Sequence, residues 1–165
     1  MNGDAENITP YMRWVKTQTD VLVPLLRHLR SKLGETEANA LVYPVLREYM
    51  KNWVAEFASK ESNDPIENFR STSERLDALF EGDVDWDVLK DDDQDFDFNV
   101  TRCVYAEFFR QLNEPELGAI LVCEADTHIA ELSAPAVRMS RVDTIMQGGN
   151  HCPFRYQFAD SEDEK

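Results

Sequence analysis

Ala136–Phe158 reads AVRMSRVDTIMQGGNHCPFRYQF, and the fold class turns on it. Apolar and polar residues alternate along AVRMSRVDTIM and again along PFRYQF, the two-residue repeat of a half-buried strand. The Gly-Gly of QGGNH between them is a turn signal. Upstream, Phe96, Phe98 and Val100 alternate in the same way with Asp95, Asp97, Asn99 and Thr101. About three antiparallel strands are expected, all in the C-terminal half.

Everything before them has the other period. Thr9-Pro10 reads as an N-cap followed by proline at the first helical position. Tyr11, Trp14, Val15, Leu22, Leu25, Leu26, Leu29 and Leu33 then recur at helical spacing as far as Gly34. A second helix, with Thr36 as its expected cap, carries Leu41, Val42, Val45, Leu46, Tyr49, Trp53, Val54 and Phe57. Pro24 and Pro44 each remove a helical hydrogen bond, which predicts kinked helices. A third helix follows Asn63-Asp64-Pro65 and stops near Gly82. Two more are expected, over Cys103–Leu112 and from Pro115 through PELGAILVCEADTHIAEL, whose middle is apolar on nearly every side. The expected class is α+β, a helical N-terminal half with kinked helices packed with a small antiparallel sheet. At 165 residues one domain is expected over 1–165, with a helical part 8–82, an acidic connection 83–95, an α+β part 96–158 and an acidic tail 159–165.

The formal charge is -15, and no Lys/Arg cluster interrupts it, so nucleic acid and anionic membranes are not expected partners. No apolar run approaches the length of a membrane span, and MNGDAENITPYMRW lacks the basic start and apolar stretch of a secretory signal. A cytoplasmic location is the expectation. The acid is concentrated from Glu81 to Asp97, nine acids against Lys90, and reads as a solvated connection. It is not a calcium loop: counted from Asp91, the sixth residue is Phe96 rather than Gly and the twelfth is Arg102 rather than Glu.

Three cysteines, Cys103, Cys123 and Cys152, fit a reducing compartment. Their spacings, about 20 and 29 residues, lack the CxxC or HxxxH pair that places two zinc ligands on one turn, so no cofactor is expected, with a zinc ion held by three cysteines and a histidine as the minor alternative. A free cysteine is ordinarily a small buried hydrophobe. Cys152 stands apart because it follows a Gly-Gly turn with His151 beside it and Arg155 three residues on, and cations favour a thiolate. In extended chain His151 and Cys152 point to opposite faces, so His128 is a second candidate base. In CEADTHIAEL, Asp126 shares a helix face with Cys123. Strand parity groups Arg141 with Val137 and Met139 and separates it from Arg138. An arginine on an inward face needs an anion, which Asp126, Asp143 or a ligand carboxylate would supply.

Taken in order, Cys123-x-x-Asp126, Arg141-x-x-Thr144 and Met146-Gln-Gly148-Gly149-x-His151-Cys152-x-Phe154-Arg155-Tyr156 resemble the L-2-amino-thiazoline-4-carboxylic acid hydrolase family, over roughly residues 98–158. Members of that family generally carry an acid directly after the second cysteine, where this chain has Pro153. The resemblance implies hydrolytic opening of a small cyclic amidine bearing a carboxylate. In that reaction Asp126 would hold the amidinium, and Arg141 or Arg155 the substrate carboxylate. Cys152, or a water activated by His151 or His128, would attack, and the N–H groups of Gly148 and Gly149 would stabilise the tetrahedral intermediate. Cys123 and Thr144 complete the implied substrate-binding set. Two alternatives stand beside the hydrolase: a non-catalytic small-molecule binding or sensing domain, which Pro153 favours, and an interaction protein whose acidic segment recruits a basic partner. The sequence leaves the oligomeric state open, a homodimer included.

Overall fold

Thr9 opens the helical half. Its hydroxyl accepts the Met12 N–H at 3.1 Å and Pro10 takes the first position, which starts α1 (Pro10–Leu33). In the computed structural model, which describes residues 8–159, Gly34 then adopts φ +87° and turns the chain directly into α2 (Glu35–Phe57). Thr36 therefore lies inside the first turn of α2 and is not its cap: the left-handed glycine reverses the chain in a single residue. Both helices run unbroken through Pro24 and Pro44. Asp64 caps α3 (Pro65–Leu79) by accepting the Ile66 N–H at 2.8 Å.

Four strands follow, where about three were expected. β1 (Val84–Asp91) and β2 (Asp95–Cys103) form a hairpin, and the sheet order is β1-β2-β4-β3 with every pair antiparallel. The acidic segment read as a connection is thus largely the edge strand β1 and its turn. Val84, Trp86 and Val88 alternate with Asp85 and Asp87, a strand pattern that the charge disguised. In the turn, Asp92 Oδ1 accepts the N–H groups of Gln94 and Asp95 at 2.9 and 2.8 Å, while Lys90 reaches Asp95 at 2.5 Å. The acidic tail expected at the C-terminus lies, from position 160 on, outside the described residues.

The second correction concerns AVRMSRVDTIMQGGNHCPFRYQF. Only Val137–Ser140 forms a strand, β3, paired with β4 (Cys152–Phe158) from Val137↔Phe158 to Ser140↔Arg155. Between them the chain leaves the sheet and makes a 3-10 turn over Ile145–Gln147. Thr144 caps this turn by accepting the Gln147 N–H, and Gly148 closes it at φ +104°. The connection is an eleven-residue excursion, 141–151, rather than a tight hairpin.

The inner sheet face carries Phe96, Phe98 and Val100 opposite Tyr156, Phe154 and Cys152. Phe98 and Phe154 stack at 4.6 Å between centroids. Against this face lie α3 and the long helical run from Pro115 to Leu132, made of α5 (Pro115–Gly118), a π-helical turn (Ala119–Cys123) and α6 (Glu124–Leu132). The short α4 (Val104–Gln111) joins β2 to this run. One buried cluster centres on α1, α2, α4 and the π turn, the other on α3, α6 and the sheet. Trp53, Leu79, Phe80, Val84, Cys103 and Ile145 pack against both. Among the described residues no helix is long and apolar enough to cross a membrane.

Candidate functional site

A cavity of about 80 Å³ opens between α3, the inner sheet face and the π turn. Leu76 and Phe80 of α3, Val84 and Trp86 of β1, Phe98 and Val100 of β2, and Phe154 of β4 form its apolar walls. Its polar side is made by Asp77, Asp126 and Arg141, with Tyr105 and the thiols Cys103, Cys123 and Cys152. A second recess of about 40 Å³, lined by Ser73, Phe96, Ile129 and Tyr156, shares Leu76, Asp77, Trp86, Phe98 and Asp126 with the first. The two together have room for a few water molecules or one small ring.

The π turn shapes the polar side. A π-helical turn displaces backbone carbonyls from the regular ladder, and each displaced group needs another donor. Two side chains supply them here: the Tyr11 hydroxyl donates to the Leu121 carbonyl at 3.2 Å, and Arg141 donates to the Cys123 carbonyl at 2.8 Å. The same guanidinium donates to Asp126 Oδ2 at 3.0 Å and lies 4.8 Å from the Phe154 ring centroid. Of the anions open to Arg141 from sequence, Asp126 is the one it meets. Burial pushes the Asp126 carboxyl up from its ordinary value, and the guanidinium opposes that rise.

The thiols are held in their neutral form. Burial raises Cys123 well above the ordinary thiol range and pushes Cys103 up to about 11. Cys152 is buried, and burial raises it too, although its Sγ accepts the Ile145 N–H at 3.3 Å and Arg141 is nearby. Tyr105 is anchored, its hydroxyl donating to Asp83 at 2.6 Å, and Asp83 also accepts the hydroxyl of Thr9.

Cys123, Asp126, Arg141 and Cys152 therefore meet in one lining, and the other candidate residues lie elsewhere. His151 is exposed in the turn before β4. His128 points its Nδ1 to Glu131 at 3.2 Å and is absent from the lining. Arg155 lies on the opposite sheet face, donating to the carbonyls of Phe98 and Phe154 and to Asn99 Oδ1. Thr144 is buried as a cap. The Gly148 N–H donates to the Ile145 carbonyl and the Gly149 N–H to the Thr144 carbonyl, so neither is free to receive an oxyanion. Pro153 alternates with Cys152 and Phe154 and faces away from the cavity, so an acid at that position would project from the other side of the sheet.

Asp77 and Trp86 are among the lining residues that the sequence did not single out for a site. Asp77 sits four residues from Ser73 and three from Phe80, on the apolar side of α3, and an acid on such a face was the available signal. Trp86 was hidden in the acidic run. Among the described residues no three His, Cys, Asp or Glu side chains converge as metal ligands.

The chain belongs to the L-2-amino-thiazoline-4-carboxylic acid hydrolase family, which it matches over residues 14–156; the likeness extends through the helical half and is not confined to the C-terminal part. No protein of curated function matches it. Among solved structures, the phenol-responsive sensory domain of the transcription activator PoxR, determined with phenol, is similar at a TM-score of 0.45 and 16% identity, over 85% of this chain and 74% of that one.

Proposed function

We propose that the chain is a small-molecule binding domain whose cavity holds one small, flat, largely apolar ligand without turning it over. The chemistry of the lining carries this reading. It offers aromatic walls and an anchored Asp126–Arg141 pair, but its three thiols are protonated at neutral pH and no imidazole borders them. A nucleophile needs a thiolate or a neighbouring base, and an acyl- or amidine-type intermediate needs free donors; the glycine N–H groups are engaged in the 3-10 turn. Specific pockets are mostly apolar with few placed polar groups, and this one fits that description.

Hydrolysis of a carbon–nitrogen bond in a cyclic amidine is the second reading, favoured by the family and by Cys152 and Asp126 sharing one lining. A thermal-shift screen with small aromatic and carboxylated heterocyclic compounds, followed by product analysis, separates the two. Stabilisation with the ligand recovered intact supports the binding domain. Turnover that is lost in Cys152→Ala and Cys152→Ser makes the protein a thiol hydrolase, and turnover retained in both eliminates covalent catalysis.

A further inference from the structure

One carboxylate at the cavity mouth has no partner within the protein. Asp126 is satisfied by Arg141, and Arg141 is engaged in turn by Asp126 and the Cys123 carbonyl. Asp77 lines both recesses, exposed at their mouth, and its carboxylate has no hydrogen-bond or ion-pair partner among the described residues. Around that junction stand Trp86, partly exposed at the mouth, and Phe98, whose ring faces favour a positive charge. An anionic ligand would meet an unpaired carboxylate and a guanidinium already neutralised. A cation would meet the carboxylate with aromatic rings beside it.

We infer that the ligand is an organic cation, a ring bearing an ammonium or amidinium group and no carboxylate, and that Asp77 is the residue that selects for its charge. This rests on the binding reading above and departs from the carboxylated amidine that the family name describes. The ring enters between the sheet aromatics and α3, leaving the charged group at the mouth against Asp77. Asp126 and Arg141 form a neutral polar floor beneath it, and Arg141 is not a carboxylate anchor.

The experiment compares isosteric probes on the full chain at pH 7.5 by titration calorimetry: benzylamine and benzamidine, benzyl alcohol, and benzoate. The cations should bind about tenfold more tightly than benzyl alcohol, the size expected of a partly desolvated charge pair with aromatic support, and benzoate least of all. In Asp77→Asn the ratio of cation to neutral affinity should fall close to one, in Asp77→Glu it should largely persist, and in Glu56→Gln, an exposed acid on α2 outside the lining, it should be unchanged. Equal affinities for benzylamine and benzyl alcohol overturn the inference, as does a cation preference that survives Asp77→Asn. In both cases the binding reading stands. Failure of all four probes to bind overturns both.

Discussion

Cys152 looked activated in sequence because a histidine and an arginine are its neighbours. In the fold, β-strand alternation turns Arg155 to the other sheet face, His151 stays exposed in the turn before β4, and the buried sulfur accepts one backbone N–H, with Arg141 in the same lining. A neutral thiol is a poor nucleophile, so iodoacetamide should modify the native protein at pH 7 at least about tenfold more slowly than a free cysteine. The rate should rise steeply only as Cys103, pushed up to about 11, begins to ionise. Rapid stoichiometric labelling at pH 7 would contradict this. Asp77 is the other unusual titrating group. Partial desolvation at the cavity mouth first, then the carboxylates of Asp126 across the cavity and Glu74 on its own helix, push it up to about 6, while Trp86 and Phe98 offer it no charge. Between about pH 4 and 6 the folded chain thus retains a proton that the unfolded chain has released. Its contribution to stability is present below that window and is lost as pH rises through it. Unfolding free energies measured from pH 4 to 7 should show this decline in the parent and a flatter profile in Asp77→Asn; identical profiles would refute it.

At the scale of elements, the joint between α1 and the α4–α5 connection rests on Glu114. This carboxylate is almost wholly buried, with Arg30 at 2.8 Å and Arg27 at 3.3 Å, and Arg30 also donates to the Tyr43 hydroxyl on α2. Removing one member of such a cluster leaves a desolvated charge, so Glu114→Ala should cost about 3 kcal/mol in urea denaturation. A loss below 1 kcal/mol would mean that the cluster is dispensable. Gly118, the last residue before the π turn, is tightly enclosed: a Cβ there would lie 2.5 Å from Phe109 Cγ and 2.6 Å from Met146 Sδ. Gly118→Ala must displace α4 or the 3-10 turn that carries Met146, and about 1–3 kcal/mol of destabilisation is expected in the same assay. The π turn needs this close approach, because it sets Cys123 and Asp126 at the angle from which Arg141 reaches both.

Across the whole molecule the dominant physical fact is the charge of -15, with much of it on the β1–β2 hairpin. Self-repulsion of that size destabilises the folded state at low ionic strength and is screened within about 8 Å at physiological salt. Raising sodium chloride from 10 to 150 mM should therefore raise Tm by a few degrees, about 2–5 °C, and an unchanged or lower Tm would show that the acids are locally compensated. The same charge bears on the site, since Asp77 and Trp86 at the cavity mouth adjoin the acidic hairpin and reinforce a field that draws cations.

The sequence by itself determined the α+β class, the helix starts at Thr9 and Asp64, the end of the first helix at Gly34, the strands around Phe98 and Phe154, and the grouping of Cys123, Asp126, Arg141 and Cys152. These depend on local rules: capping oxygens, left-handed glycine, the periods of 3.6 and 2, and a family pattern carried on short segments. Only the tertiary structure decided the rest. β1 became a strand because pairing with β2 supplied hydrogen bonds that its aspartates alone did not announce. Ser140 ended β3 because the capped turn at Thr144 satisfied the backbone outside the sheet. Asp77, three helices away in sequence from Asp126, came to share its cavity because α3 and α6 pack against one sheet face. Burial, the property that keeps the thiols neutral, is a relation between distant segments and has no signature in any one of them.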